Sequence, residues 1–487
     1  MTTSRDILRG SLLIFLATGF AAAFSYAIRI YLARSFSINE YGLFYAVFTL
    51  ISTLMLFRRA GLPPATIRFA SQEIAKKNIK NANRIVSTSF FLQFSFGVLL
   101  AVLVIFLSPL LTKYYFETPV SEILLKSLSL FFITSLGIEL VHQLLNIKQD
   151  SKTFAASVIS KEVILFLLIL LIPSKSLIAP SLAYVLCGVF VFLLFFRKAF
   201  RGFSWTVPDK YSAKKLLGLG KILLVTTIGS NIISNFDTLM LTKLSTYEQV
   251  GIYNIVLPTV MAIFTITNSL TVMALPTLVK RWEHGRREEI RKGFEFIYRL
   301  LMVFSLPFLF ALGTYAKTFI AVFFGSQYTS GTPAMQILLL SIPFALLATL
   351  NKQALIAFDS PRKILFVESI TAALNVILNL FLIPSFGIEG AAFATTISFI
   401  AMLFLTHLAI VKKIKFEFPW KSWTLTFIAG TFFLCILQLF HTQQWNIFFK
   451  LSTSIPLAFL TYLAIVLFMK IIQISELKWL MNLALKK

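Results

Sequence analysis

Fourteen apolar stretches separated by short polar gaps run along the chain, with approximate bounds 11–33, 41–57, 85–112, 122–145, 153–173, 177–196, 216–242, 249–279, 294–316, 332–357, 362–383, 389–411, 421–440 and 447–472. About 20 apolar residues in helical conformation cross a hydrocarbon core of roughly 30 Å. Each stretch therefore predicts one membrane-spanning helix, and the predicted fold class is an all-α, polytopic membrane protein with 14 transmembrane helices. The gaps carry a second pattern. Of the 45 Lys and Arg residues, 37 fall in the two terminal segments and in alternate gaps counted with the ends of the stretches that flank them, whereas only 7 (Arg34, Lys113, Lys126, Lys175, Lys243, Lys317 and Lys450) fall in or beside the gaps between; Arg29, within the first stretch, completes the count. Basic residues are retained on the cytoplasmic side during insertion, so a multi-pass protein of the plasma or inner membrane is expected, with both termini in the cytoplasm.

Composition agrees: 57% hydrophobic and 13% charged residues do not describe a soluble chain of this length. A net charge of +25 would otherwise suggest nucleic acid, but membrane topology absorbs it and no nucleic-acid partner is expected. The first stretch is too long, and too closely followed by the second, for a cleavable signal peptide. Cys187 and Cys435 lie inside spans, which predicts neither a disulfide framework nor a metal site. His142, His284, His407 and His441 are scattered without zinc-site spacing, and no phosphate-binding Gly-rich loop ends in Lys-Ser/Thr. The longest outer gap, near 317–331, is too short for a catalytic domain. An enzyme is not expected.

The chain also matches itself at a nearly fixed offset. Arg34 and Tyr41-Gly42-Leu43-Phe44 pair with Lys243 and Val250-Gly251-Ile252-Tyr253 at 209; Asp150-Ser151 pairs with Asp359-Ser360 at 209; Leu171-Ile172-Pro173-Ser174 pairs with Leu382-Ile383-Pro384-Ser385 at 211. Six spans per unit return the chain to its starting side, so the repeat is parallel, and the interface of the two lobes is the natural binding site. The expected domains are an N-lobe over 1–210 (ending in a linker at 197–210), a C-lobe over 211–411, and two further spans over 412–487.

Polar residues inside spans supply the candidate chemistry, because ionisable groups there face a cavity or a partner. Ser11, Thr18, Ser25 and Arg29 share one helical face. Arg29 can grip a phosphate bidentately and cannot lose its charge; the alternative is a side chain reaching out to the interface. Thr227, Ser230, Ser234 and Asp237 form a second stripe, with Asn231 and Asn235 on an adjoining face. Asp237 is a candidate for Na⁺ or H⁺ coupling, or for a static ion pair with a residue such as Arg29. Glu368, Thr371, Asn375 and Asn379 make a third stripe, and Ser135, Glu139, His142 and Asn146 a fourth. Structural packing is the favoured reading of Asn375 and Asn379, and Glu139 with His142 either lines a cavity or is simply solvated. Arg58, Arg59 and Arg68 bracket Gly61-Leu62-Pro63-Pro64, where the prolines are expected to interrupt a helix and free backbone groups.

These residues bring out a likeness. Leu32-Ala33-Arg34 with Glu40-Tyr41-Gly42-Leu43-Phe44, Asp237 with Val250-Gly251-Ile252-Tyr253-Asn254, and Asn375-x-x-x-Asn379 running into Ile383-Pro384-Ser385-Phe386-Gly387-Ile388-Glu389-Gly390-Ala391-Ala392 resemble the polysaccharide biosynthesis transporters of the multidrug/oligosaccharidyl-lipid/polysaccharide exporter superfamily. The resemblance spans essentially the whole chain. It implies two six-helix lobes in a V with two extra helices at the side, alternating access, and a polyprenyl-(di)phosphate-linked oligosaccharide of O-antigen or teichoic-acid type as cargo. Only Arg34 and Asp237 are carried over as matching site positions. Together with the bottom-up reading, the expected substrate-binding set is Arg29, Arg34, Lys243, Ser25, Arg58, Arg59, Glu139, Asn231, Asn235 and Asn375, with Asp237 and Glu368 for ion coupling and no metal.

Moving one charge across 100 mV is worth about 2.3 kcal/mol, so a doubly charged headgroup gains on the order of 4–5 kcal/mol moving outward; the potential alone can assist export. A peptidoglycan-precursor flippase would differ only in headgroup. An ion-coupled multidrug exporter should have twelve spans and a carboxylate-lined cavity, and a glycan polymerase needs a large outer loop. The bilayer and the lipid-linked glycan are the expected partners, contacts with glycan assembly proteins are allowed for, and a monomer is expected.

Overall fold

The computed structural model describes residues 4–172, 176–272, 275–443 and 445–472. Among them every regular element is helical: α1 (Ser4–Ser35), α2 (Ile38–Arg59), α3 (Leu62–Ala75), α4 (Ile79–Leu111), α5 (Val120–Ser129), α6 (Phe131–Ile147), α7 (Ser151–Leu171), α8 (Ile178–Phe200), α9 (Lys210–Leu244), α10 (Tyr247–Val272), α11 (Leu275–Glu283), α12 (Arg287–Thr314), α13 (Ala316–Phe323), α14 (Thr332–Ala357), α15 (Pro361–Ile414), α16 (Trp420–His441) and α17 (Ile447–Phe468). Among the described residues eleven segments are long and apolar enough to cross a membrane. Pro173 and Ser174 of the repeat, residues 473–487, and the side chains of Ser11, Thr227, Ser230, Asn231 and Ser234 lie outside the described residues.

Helix ends follow from local chemistry. Ser37 and Glu40 form a reciprocal capping box that starts α2, and Asp150 and Asp209 accept main-chain N–H groups at the starts of α7 and α9. Between α2 and α3 the break is made by Ala60 and Gly61, both at positive φ. Pro63 and Pro64 sit in the first turn of α3, where the N–H groups would be unbonded in any case. Gly61 has a second constraint, since a Cβ there would lie 2.3 Å from the carbonyl oxygen of Gly220 on α9.

α15 is not one rod but two helical arms joined at a break. Gly387 (φ 55°, ψ −127°) is non-helical, and a Cβ on Gly390 would meet the carbonyl oxygen of Leu382 at 2.3 Å. Those residues would be about 12 Å apart along a straight helix. The chain thus reverses at Gly387, and the two arms are tied by Asn375 Nδ2 donating to Thr395 Oγ1 at 3.5 Å.

The chain forms two compact units, Met1–Asn254 and Ile255–Lys487. In the first, α1 packs on α7, α6 and α7 on α8, α3 on α4, and α9 along α2, α3 and α4. Packing thus places α9 in the first unit, whereas the duplication groups it with the second half. The segment joining α8 to α9 is irregular, as expected for 197–210 from residue 201 onward, but it is not loose: Ser87, Thr88 and Asn83 of α4 hydrogen-bond to Thr206, Asp209 and Ser204. In the second unit α14 packs on α15, and α16 and α17 pack together against α12 around Phe433, Tyr462 and Val303. α12, α13, α16 and α17 border an apolar groove of about 430 Å³.

α2 and α10 meet in the first unit through bare backbone. A Cβ on Gly42 would fall 1.9 Å from the carbonyl oxygen of Tyr247, and one on Gly251 2.5 Å from that of Ile38. The offset of 209 pairs Gly42 with Gly251 and Ile38 with Tyr247. The contact is therefore isologous, each glycine of one half against the carbonyl of the other.

Candidate functional site

Arg29 is half-buried on α1. Its Nη1 donates to the carbonyl oxygen of Asn254 at 3.1 Å, and the guanidinium lies 4.5 Å above the ring centroid of Tyr45, with Tyr41 and Tyr184 as further neighbours. The acceptor is available for a physical reason. Residue 258, whose N–H would bond that carbonyl in a regular helix, is proline, so Arg29 supplies the missing donor. Tyr45 and Asn254 are repeat partners at 209, each seven residues from the start of its helix, about 10 Å along the axis. The guanidinium is therefore held well within the helices and not at their ends. Thr238, the repeat partner of Arg29, accepts from Asn254 Nδ2 at 3.4 Å; one half carries a cation where the other carries a hydroxyl.

Asp237 is fully buried and accepts a hydrogen bond from Tyr253 Oη at 2.7 Å. Consecutive residues of α10, Tyr253 and Asn254, thus hold the acid and the base. Among the described residues Arg29 is held by the Asn254 carbonyl and by tyrosines, and Asp237 by the Tyr253 hydroxyl. Ser25 is half-buried one turn before Arg29, and Asn235 is half-buried on α9. Arg34 is exposed in the last turn of α1. Lys243 donates to Glu117 Oε1 at 2.6 Å and to the carbonyl of Tyr114 at 2.8 Å, in an exposed clasp.

A second cluster lies at the end of the first unit that carries the α2–α3 break. Arg58 is fully buried and pairs through Nη2 with Glu139, while Nε of the more exposed Arg59 reaches the other Glu139 oxygen at 2.9 Å. Glu139 and Arg59, with Ser135, His142, Gln143 and Lys161, line a cavity of about 320 Å³. In the second unit Glu368 is paired with Lys352 at 3.1 Å. Asn379 Nδ2 donates to Asn375 Oδ1 at 3.2 Å within the first arm of α15, and both are fully buried.

The structure thus assembles Arg29 near the Tyr253–Asn254 step that holds Asp237, and joins Arg58, Arg59 and Glu139. Arg34 and Lys243 stand at helix ends, and Glu368 and Asn375 belong to the second unit. The sequence reasoning missed Tyr45, Tyr253 and Lys352. Lys352, inside the 332–357 stretch, was the one with a signal, but it was assigned to topology.

A model of the polysaccharide biosynthesis protein family matches residues 7–282, more than half of the chain. The chain belongs to that family. An uncharacterized membrane protein of Methanocaldococcus jannaschii is 25% identical over 96% of each chain. The probable low-salt glycan biosynthesis flippase Agl15 of Haloferax volcanii is 26% identical over 52% of this chain and 54% of its own length. In three dimensions this family member is similar to the lipid II flippase MurJ in an inward closed conformation, with a TM-score of 0.76 and 16% identity over 93% of this chain and 98% of that one. At that identity the likeness establishes the fold. It is that of a multi-pass integral membrane protein.

Proposed function

We propose that the protein moves a polyprenyl-(di)phosphate-linked oligosaccharide from the inner to the outer leaflet by alternating access, as a transporter and not an enzyme. The observation that carries this reading is Arg29: a permanent cation within the helical layer, held by a main-chain carbonyl and an aromatic ring, neither of which cancels the charge that attracts phosphate. Family membership and the neighbouring flippase fold support it. Counting the two arms of α15 separately and adding α9 and α10 to the remaining apolar segments gives fourteen crossings, in line with two six-helix lobes and two further helices. The isologous Gly42–Gly251 contact supports a parallel duplication. The apolar groove beside α16 and α17 suits a polyprenyl tail.

Within this reading Asp237 is the residue that couples Na⁺ or H⁺, while Glu368, tied to Lys352, positions a helix. Arg29→Ala is expected to abolish glycan export at unchanged membrane abundance, and Arg29→Lys to restore it only in part, because a point charge does not replace a bidentate fork. Normal export by Arg29→Ala would refute the site. Mass spectrometry of the lipid-linked intermediates that accumulate on depletion distinguishes an oligosaccharide carrier from a peptidoglycan-precursor flippase.

A further inference from the structure

The cavity beside Glu139 has features that neither charge balance nor packing explains. Its volume of about 320 Å³ lies within the range of small-molecule pockets, about 300–1,000 Å³. Gln143 lines it, is 2% exposed, and has no partner for either its amide nitrogen or its amide oxygen. His142 Nε2, in the same wall, is also buried without one. An unmet buried amide is costly, and Leu or Met would fill position 143 equally well. What Gln143 offers is one donor and one acceptor side by side, which is the complement of a hydroxyl group.

The walls and the charge narrow the ligand further. Phe131, Phe154 and Tyr184 give the cavity flat apolar faces, a lining that suits a ring held in place by a few polar groups. Of the charged residues Arg59, Glu139 and Lys161 line it; Glu139 pairs with Arg58 and Arg59, and Lys161 with Glu162. Among the lining residues two cations stand against one carboxylate, which leaves one positive charge, and Arg59 meets Glu139 through Nε, with its side chain 53% exposed. Tyr184 is shared with the surroundings of Arg29, which places this cavity next to the first site but distinct from it.

We propose that this cavity binds a sugar bearing a single negative charge, a hexuronic acid in its simplest form, with the carboxylate on Arg59 and hydroxyl groups on Gln143 and His142. The inference deepens the flippase reading by naming a class of sugar, and rests on that reading only for how such a sugar arrives. It is tested without transport. The purified full chain in lipid nanodiscs is titrated with sodium glucuronate, glucose or inorganic phosphate, and bound ligand is read by saturation-transfer NMR. Glucuronate should bind and glucose should bind more weakly. Gln143→Leu should weaken glucuronate by about tenfold or more with no loss of thermal stability, since it removes an unpaired amide; Gln143→Met, equally without an amide, serves as an independent second variant. Arg59→Gln, which leaves the Arg58–Glu139 pair in place, should erase the preference for glucuronate over glucose. Absence of glucuronate binding, equal binding of glucose by the wild type, binding of phosphate alone, or wild-type affinity in both Gln143 variants would each overturn the proposal. Such a failure would leave the export phenotype of Arg29→Ala, and with it the flippase reading, untouched.

Discussion

Arg58 and Lys243 each face a carboxylate, and their surroundings make them opposite cases. Arg58 is fully buried against Glu139, whereas Lys243 and Glu117 are both largely exposed. Glu139→Gln leaves a buried guanidinium without its counter-charge and should cost about 3–5 kcal/mol. Lys243→Ala should cost under about 1 kcal/mol; denaturation of the purified protein in detergent compares the two, and equal losses would contradict this account. Asp209 gives a pH-dependent case. Its carboxyl accepts from the Ser212 main-chain N–H at 2.8 Å, and hydrogen bonding from the Ser212 side chain first, then from that main-chain group, holds it below the usual carboxylate range. A depressed folded value means the contribution is present above the unfolded value of about 3.9 and is lost as pH falls through the folded one. Hydrogen-exchange protection at the start of α9 should therefore be flat above about pH 4 and fall below it, and a fall centred near neutrality would exclude Asp209 as the cause. At this scale the charged residues were legible as candidates because lipid penalises them. Their partners were not: Tyr45 and Tyr253 sit in apolar runs where a tyrosine reads as one more hydrophobic residue, and Lys352 was masked by the topology signal.

Among elements, α10 contains its own defect and α1 repairs it. The Pro258 ring leaves the Asn254 carbonyl without its helical donor, and Arg29 takes that place. Arg29→Ala should therefore cost about 1–3 kcal/mol in the wild type. In a Pro258→Ala background, where residue 258 can donate again, the cost should shrink. A double-mutant cycle on unfolding measures the difference, with coupling of about 1 kcal/mol expected; independent effects would break the link. The helices themselves were legible because about 20 apolar residues suffice to announce a span, and the turn at Gly387 falls in the gap left between 383 and 389. Between α2 and α3 the interruption was legible at Gly61-Leu62-Pro63-Pro64, but the part of it that rests on the positive φ of Ala60 was not. Alanine carries no sequence signal for such a conformation.

For the whole molecule, the alternation of basic gaps predicts sidedness directly. With Cys187 and Cys435 replaced by serine, His284→Cys should react with a membrane-impermeant maleimide only after permeabilisation, and Gln327→Cys in intact cells; the reverse would invert the orientation. Duplication was legible as an offset, but the physical meaning of that offset was not, since matching residues need not touch. Gly42 and Gly251 do touch. Two helices that meet through bare backbone surrender no rotamer freedom on closing and present no charge for salt to screen. Joining and parting at that junction should thus be indifferent to ionic strength and acidity, which leaves any response to the medium to Arg29 and Asp237, the ionisable groups that Asn254 and Tyr253 hold along the same helix.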